Sequence, residues 1–241
     1  MDPGVPAVAP ALGGRVLFDQ RWTDLAFLHW PVDPDLVARF LPAGVEPDVI
    51  GGVTYVGLIP FHMRAAGAGR GHPAPYLGDF LETNVRLYSV DAAGRHGVVF
   101  RSLEASRLAT VLAARWGYRL PYVWSRMRVE RDGDTWVWSS RRRWPDRGLQ
   151  TRIAVRVGAP LDEPTPLDIW LTARWGLHHR VAGRTIWTPN EHSAWPLCTA
   201  EVLEISDELV AAAGIDVDGL PPVPTRFSPG VRTVFGWPRP I

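Results

Sequence analysis

The 241-residue sequence contains no lysine, and all 26 of its basic side chains are arginine. A Schiff base to a carbonyl substrate and covalent attachment of pyridoxal phosphate both require a primary amine on a side chain. No side chain of this protein carries one, and the α-amino group of Met1 lies on a segment rich in proline and glycine. The sequence therefore excludes imine chemistry on a side chain.

Cysteine and long apolar runs are also scarce. Cys198 is the one cysteine, so no intrachain disulfide can form and a reducing compartment is expected. No segment approaches the roughly 20 apolar residues of a membrane span. Residues 1–14 lack the basic and apolar regions of a signal peptide. These absences predict a cytoplasmic protein that does not interact with membranes.

Basic and acidic side chains nearly cancel, 26 against 25, and are interspersed. Nucleic-acid binding requires a wider basic surface, so we expect a small-molecule substrate or ligand as the partner and no nucleic acid. Self-association into a homo-oligomer stays open. The one basic run, Arg141 to Arg143, follows a tryptophan-rich segment, and its composition predicts a solvated strand end or loop.

The distribution of apolar residues predicts a mainly β protein with a few helices (α+β). Helix-capping residues predict four short helices, beginning near Asp33, Ser106, Thr165 and Ser206. No linker or repeat divides the chain, so we expect a flexible tail over residues 1–14 and a single barrel- or sandwich-like domain over residues 15–241. Alternation and β-rich composition predict strands at 53–63, 80–90, 97–102, 127–130, 135–141, 151–157 and 200–205.

The strongest functional signal is the segment FLETNVRLY at residues 80–88. In a strand, Glu82, Asn84, Arg86 and Tyr88 share one face. Inside a barrel, Arg86 could hold a carboxylate or enolate oxygen with two hydrogen bonds, and a desolvated Glu82 could act as a general acid or base. The alternative is an outward polar face with a surface ion pair, and the spacing does not decide between the two.

The histidines show no metal-binding or triad signature. His29 lies in the apolar segment FLHWP, which is typical of a hydrogen-bonded core histidine. His192 has an acid and a serine beside it, but a catalytic triad depends on geometry across the fold, and no G-x-S-x-G motif is present. His178 and His179 are adjacent and would face opposite sides of a strand. With no H-E-x-x-H or C-x-x-C motif, the sequence predicts no metal site.

Several segments, in order, resemble the DUF2071 (YqjF-like) family, an uncharacterised bacterial group. They are FLHWPVDPDLVARFLPAGVEPD (27–48), YVGLIPFHM (55–63), FLETNVRLY (80–88), LPY (120–122), SRM (125–127) and HSAWPL (192–197). The likeness extends over about residues 22–237. This family is grouped with the acetoacetate-decarboxylase-like fold, so the resemblance implies a closed or nearly closed β-barrel with an interior pocket.

The same resemblance guides the assignment of the acid. Members of the wider fold use a lysine Schiff base, which this chain cannot form. The FLETNVR segment resembles the strand that brings a glutamate into the decarboxylase cavity, which makes Glu82 its counterpart. This chain departs from the family pattern at residues 171–175, where LTARW lacks the family's acid, and at Val123, Trp124 and Ser125. These departures imply a more apolar pocket.

The first functional hypothesis is a cofactor-independent lyase, cyclase, dehydratase or isomerase that acts by general acid–base catalysis. Its substrate would be a carbonyl-containing or polyketide-like metabolite. Arg86 would bind an anionic oxygen, Glu82 would move a proton, and Asn84 and Tyr122 would orient or stabilise the enolate. The predicted substrate-binding residues are His29, Tyr88, Trp124, Arg126 and His192.

Two alternatives stay open. In one, a non-catalytic binding protein uses the same pocket to sequester or sense an apolar ligand, which the twelve tryptophans favour. In the other, the protein is structural, and Glu82 and Arg86 form only a buried ion pair.

Overall fold

Most of the chain forms one β-sheet. The computed structural model describes residues 4–217 and 219–241, and within these ranges thirteen strands pair in a single sheet. The predicted mainly β architecture is therefore confirmed. The strands are β1 (Phe18–Val32), β2 (Val45–Pro47), β3 (Thr54–Ala68), β4 (Phe80–Asp91), β5 (His96–Ala105), β6 (Tyr122–Asp132), β7 (Thr135–Trp144), β8 (Gln150–Pro160), β9 (Gly176–Val181), β10 (Arg184–His192), β11 (Cys198–Asp207), β12 (Arg226–Phe235) and β13 (Arg239–Pro240).

Four short helices occur in the described ranges, each inside a segment predicted to be helical. They are α1 (Pro34–Ala38), α2 (Leu108–Tyr118), α3 (Pro166–Thr172) and α4 (Leu209–Ala212). Asp33 caps α1, and Thr165 forms a capping box with Asp168 at α3. Ser106 does not cap α2, because its hydroxyl accepts a hydrogen bond from the Leu81 amide on β4 instead. No helix of the described residues is long and apolar enough to cross a membrane.

The sheet closes into a ring-like arrangement. The strand order runs β5–β6–β7–β8–β11–β12–β1–β3–β4, and β4 pairs again with β5. Strands β9 and β10 form a second connection between β5 and β12. This connection uses a different part of β5 from the one that pairs with β6. On β5, Val98 pairs with Leu177 of β9, whereas residues 103–105 pair with β6. The ring-like closure agrees with the nearly closed core that the family resemblance implied.

Strands β1, β3 and β4 form a layer that is buried on both faces. One face carries Leu28, Leu58 and Val85, which belong to a cluster completed by residues of β7 and β8. The opposite face carries Phe27 and Ile59 in a second cluster. Because side chains alternate along a strand, the polar row of β4 lies on this second face, inside the fold. The alternative of an outward polar face is therefore wrong.

Strands β1, β2, β9, β10, β12 and β13 are absent from the predicted set. In β1, every residue from Leu25 to Trp30 is buried, because the layer is covered on both sides. A strand of this kind has a continuous apolar run in place of the alternation that marks a half-exposed strand.

Part of the segment predicted as a flexible tail packs against the domain. Residues 1–3 lie outside the described residues. Val5 is buried in a cluster that contains Trp175, and the Trp175 indole N–H donates a 2.8 Å hydrogen bond to the Pro6 carbonyl. The segment from Val5 onward thus contributes apolar contacts to the domain.

Candidate functional site

Glu82 is a buried carboxyl group with neutral hydrogen-bond partners. It lies on β4 between Phe61 of β3 and Ala105 of β5 and is 3% exposed. Its Oε2 accepts a 2.8 Å hydrogen bond from the Tyr122 hydroxyl, and its Oε1 accepts a 3.5 Å hydrogen bond from Asn84 Nδ2. Within the described residues, no cation forms an ion pair with this carboxyl group.

Burial raises the pKa of Glu82 to about 7. Removal from water disfavours the ionised form, and the hydrogen bonds from Tyr122 and Asn84 offset only part of that effect. The pKa of Tyr122 is raised well above its usual value by burial and by the adjacent Glu82. Tyr122 therefore keeps its proton while Glu82 gains and loses one near neutral pH.

Replacing Tyr122 with phenylalanine should raise the pKa of Glu82. The Tyr122 hydroxyl stabilises the ionised carboxylate, so its loss shifts the pKa upward by about one unit, the equivalent of one hydrogen bond to a charged group. Carboxyl chemical shifts of Glu82, followed by NMR from pH 4 to 9, measure the change. Tyr118→Phe is the matched control, because the Tyr118 ring packs against Phe18. An unchanged pKa in Tyr122→Phe would contradict the assigned hydrogen bond.

Arg86 lies on the same face of β4 as Glu82 and follows Asn84 by two positions. Its Nε donates to the Tyr88 hydroxyl at 3.2 Å, and one terminal nitrogen donates to the Leu171 carbonyl at 3.1 Å. The guanidinium carbon lies 5.6 Å from the Phe27 ring centroid. No carboxylate in the described part of the chain pairs with Arg86, so Glu82 and Arg86 do not form the ion pair that the structural hypothesis requires.

Tyr88 links Arg86 to His29. The Tyr88 hydroxyl donates to the Leu171 carbonyl at 3.1 Å. His29 Nε2 lies 2.7 Å from the Tyr88 hydroxyl oxygen. Burial, together with the charge of Arg86, holds the pKa of His29 well below its usual range. His29 is therefore a neutral imidazole that is hydrogen-bonded to the Tyr88 hydroxyl. As the sequence suggested, His29 is hydrogen-bonded in the core.

Gly57 allows His29 and Arg86 to approach each other. It pairs with His29 on β1 and with Arg86 on β4. A Cβ atom at this position would lie 3.2 Å from His29 Cδ2 and 3.3 Å from Arg86 Cγ. Both distances are shorter than ordinary van der Waals contacts. The absence of a side chain therefore leaves room for the guanidinium group.

His192 lies among three tryptophans. Its ring centroid is 4.6 Å from that of Trp175, 5.1 Å from that of Trp195 and 6.1 Å from that of Trp22. Its Nδ1 donates to the Ser193 carbonyl at 2.7 Å. Burial and the charge of Arg86 lower its pKa to about 4. His192 is consequently a neutral ring in an aromatic wall near Arg86.

Trp124 and Arg126 lie near the start of β6, two and four positions after Tyr122. Trp124 is half-buried and Arg126 is exposed, and both line a cleft of about 500 Å³. The candidate residues thus fall into three groups. These are Glu82, Asn84 and Tyr122; Arg86, Tyr88, His29 and His192; and Trp124 and Arg126. The functional roles assigned to them stay predictions.

Sequence reasoning missed Arg174, whose guanidinium group packs against the ring of Tyr88. It is 3% exposed, forms an ion pair with buried Asp48, and stacks on the rings of Tyr88 and Trp170 at 4.7 and 4.1 Å. In the sequence, the LTARW segment shows only the absence of the family's acid. Asp48 is 126 positions away in sequence, so no local pattern indicates the pair.

The described residues contain no group of three or more histidine, cysteine or acidic side chains that could hold a metal ion.

Comparisons with known proteins place this geometry in context. The model of the DUF2071 family, an uncharacterized conserved protein, matches residues 19–232. The uncharacterized protein YqjF of Bacillus subtilis is 33% identical over 202 residues, which cover 83% of this chain and 82% of YqjF.

The solved structures that superimpose on the chain include two kinds of enzyme. The enduracididine biosynthesis enzyme MppR matches with a TM-score of 0.64 and 16% identity, over 96% of this chain and 90% of MppR. Acetoacetate decarboxylase from Legionella pneumophila matches with a TM-score of 0.61 and 13% identity, over 95% of this chain and 87% of the decarboxylase. At these identities the structural likeness shows the fold alone.

Proposed function

We propose that this protein, which belongs to the DUF2071 family and has the acetoacetate-decarboxylase-like fold, is a cofactor-independent enzyme that moves a proton on a carbonyl compound. The observation that carries the proposal is Glu82, a buried carboxyl group whose pKa is raised to about 7. A general acid or base is most effective when its pKa lies near the working pH. A carboxyl group serving only as a structural partner gains nothing from this value.

The neighbours of Glu82 supply the other parts of such a reaction. In the proposed step, the Glu82 carboxylate takes the proton from the carbon next to a carbonyl, and the electron pair of the C–H bond moves into an enolate. Tyr122 and Asn84 are hydrogen-bond donors beside Glu82 and would stabilise the enolate oxygen. Return of the proton to another carbon completes an isomerisation, and departure of a hydroxide equivalent completes a dehydration.

Arg86 would hold an anionic end of the substrate. Its guanidinium group has no carboxylate partner among the described residues, and it lies on the same face as Glu82. In an extended strand, Cα atoms four residues apart are separated by about 13 Å. A substrate that reaches both groups would therefore be an extended carbonyl acid rather than a two- or three-carbon fragment.

The solved structures support a carbonyl ligand. MppR has been solved with pyruvate and with the condensation product of pyruvate and imidazole 4-carboxaldehyde. In this chain, a carbonyl compound would have to react without an imine to a side chain, because the sequence contains no lysine. Acid–base chemistry at Glu82 is consistent with that restriction. We also propose that the reaction takes place in the cytoplasm.

The second candidate function is a non-catalytic protein that binds an apolar ligand. The observation in its favour is the wall of aromatic rings around His192, formed by Trp22, Trp175 and Trp195. A neutral aromatic wall suits an apolar group. The two candidates differ in whether Glu82 exchanges a proton with the bound molecule.

Solvent exchange on trial substrates separates the candidates. The protein is incubated in D₂O with 2-oxo acids of increasing chain length, and NMR follows deuterium incorporation next to the carbonyl. Glu82→Gln should slow incorporation by about 100-fold and leave the Kd within about threefold, because the amide keeps the size of the side chain. Glu46→Gln, at an exposed position on β2, is the control.

The outcomes are distinct. Exchange that depends on Glu82 supports the enzyme. Binding without exchange in the unsubstituted protein supports the binding protein. Exchange that is unaffected by Glu82→Gln would remove Glu82 from the chemistry. Crystals and native mass spectra of protein purified from its own host would identify a co-purified ligand next to Glu82 and Arg86.

A further inference from the structure

A cleft of about 500 Å³ is lined by residues that neighbour Glu82 on β4 and Tyr122 on β6. Phe80 and Trp124 both line it. Phe80 precedes Glu82 by two positions on β4, and Trp124 follows Tyr122 by two positions on β6. Residues two positions apart in a strand face the same side, so the two rings lie on the face that carries the Glu82–Tyr122 hydrogen bond.

One small residue lies between Glu82 and Trp124 in the sheet. Ala105 of β5 pairs with Glu82 on one side and with Trp124 on the other. Its side chain is a single methyl group, so the bulky side chains that line the cleft on this face are the rings of Phe80 and Trp124. Phe80 is 5% exposed, whereas Trp124 is half-buried. Trp124 is therefore the more solvent-accessible of the two rings.

The rim of the cleft is positively charged. Three guanidinium groups, those of Arg107, Arg126 and Arg143, line it against one carboxylate, that of Asp79. Asp79 is already bound by the ring of His62, with 2.7 Å between Oδ1 and Nε2.

The three arginines differ in what they already contact. Arg107 is occupied, since it stacks on Tyr76 and donates to the Asp79 backbone carbonyl. Arg126 and Arg143 are exposed, and neither pairs with a carboxylate among the described residues. The guanidinium carbon of Arg143 lies 5.2 Å from the ring centroid of Trp124.

We propose that this cleft is the entrance to the Glu82 site, with Trp124 as its gate, and that Arg126 and Arg143 select substrates that carry an anionic group at the mouth. The anionic group is a carboxylate or a phosphate, both of which match the guanidinium fork. The choice of substrate rests on the proposed function, whereas the path from the cleft to position 82 does not.

Charged thiol reagents test the path and its selectivity without any activity assay. The variant combines Glu82→Cys with Cys198→Ser, so that position 82 carries the one thiol. It is treated with an anionic sulfonatoethyl methanethiosulfonate or with its cationic trimethylammonium analogue. Each forms a disulfide with the thiolate and releases methanesulfinate. Relative to their rates with free cysteine, the anionic reagent should react about tenfold faster, and less so at high salt.

Further substitutions assign the effect to residues. Arg126→Gln with Arg143→Gln should abolish the preference for the anionic reagent. Arg131→Gln, at an exposed position on the β6–β7 hairpin, should leave it intact. Trp124→Ala should speed up both reagents. If the cysteine variant does not fold, carbodiimide-driven coupling of glycinamide to Glu82 in the unsubstituted protein, mapped by mass spectrometry, reads the same path and should also be faster in Trp124→Ala.

Competing anions identify the group that is bound. Inorganic phosphate and acetate are compared at equal ionic strength as inhibitors of labelling. Stronger inhibition by phosphate indicates a phosphorylated substrate, and stronger inhibition by acetate indicates a carboxylate. Failure of both anions to inhibit, equal rates for the two reagents, or no labelling at position 82 would overturn the proposal. Retained selectivity without Glu82-dependent deuterium exchange would overturn the acid–base function and leave the entrance standing.

Discussion

Arg142→Met should lower the free energy of unfolding by about 3–5 kcal/mol. The Arg142 guanidinium donates to both carboxylate oxygens of Glu104, which is fully buried, and the Ser125 hydroxyl donates to the same group. Methionine fills a similar volume but leaves the Glu104 carboxylate without its counterion. Urea denaturation at pH 7, followed by circular dichroism, measures the loss.

The neighbouring arginine provides the matched control. Arg141 is exposed on the opposite face of β7, so Arg141→Met should change the free energy of unfolding by no more than about 0.5 kcal/mol. Adding Glu104→Gln to Arg142→Met should recover part of the stability, because the uncompensated charge is then gone. An equal effect of Arg141→Met and Arg142→Met would show that the pair contributes nothing.

Glu82→Gln should stabilise the protein at alkaline pH. The pKa of Glu82 is about 7 in the folded protein, against 4.5 for an unperturbed glutamate. Between these two values the folded state binds more protons than the unfolded state, so stability falls as the pH rises. The cost is complete above pH 7 and amounts to about 3 kcal/mol. Glutamine does not ionise and escapes this cost.

Urea denaturation of both proteins between pH 4.5 and 8.5 tests this sign. The free energy of unfolding of Glu82→Gln, relative to the unsubstituted protein, should increase by about 3 kcal/mol across the range. Glu46→Gln is again the matched control. A difference for Glu82→Gln that is constant with pH would show that Glu82 does not titrate in this window. If Glu82→Gln gains stability and loses deuterium exchange, Glu82 serves the activity of the protein while it lowers the free energy of unfolding.

The sequence predicted β7, and it also predicted β3 and β4, although both faces of these two strands are buried. The hairpin of β7 follows an exposed–buried alternation that can be read locally, and its position was predicted correctly. Strand β1 was missed because its buried run, Leu25 to Trp30, shows no alternation of polar and apolar residues. In the run Arg141 to Arg143, the two outer arginines are exposed as predicted, but Arg142 is half-buried, because alternation turns it towards Glu104, 38 positions away.

The candidate site was predicted to a similar extent. Period-two spacing placed Glu82, Asn84, Arg86 and Tyr88 on one face, and the structure has them there. Tyr122 was predicted to take part in catalysis, but its contact with Glu82 spans 40 positions, so no local pattern indicates it. The pair of Arg174 and Asp48 has no local signature. Sequence spacing therefore reveals which side chains share a strand face, whereas contacts between strands depend on the closure of the sheet.

The two buried faces of β4 place different constraints on amino-acid substitution. Val85 and Leu87 face the scaffold cluster, so substitutions there are judged by how well they fill space. Glu82, Asn84 and Arg86 face the candidate site, so substitutions there are judged by their chemistry. A lineage can exchange the even-numbered side chains, and with them its substrate, while the odd-numbered ones preserve the architecture. A chain that contains no lysine can in this way keep the fold.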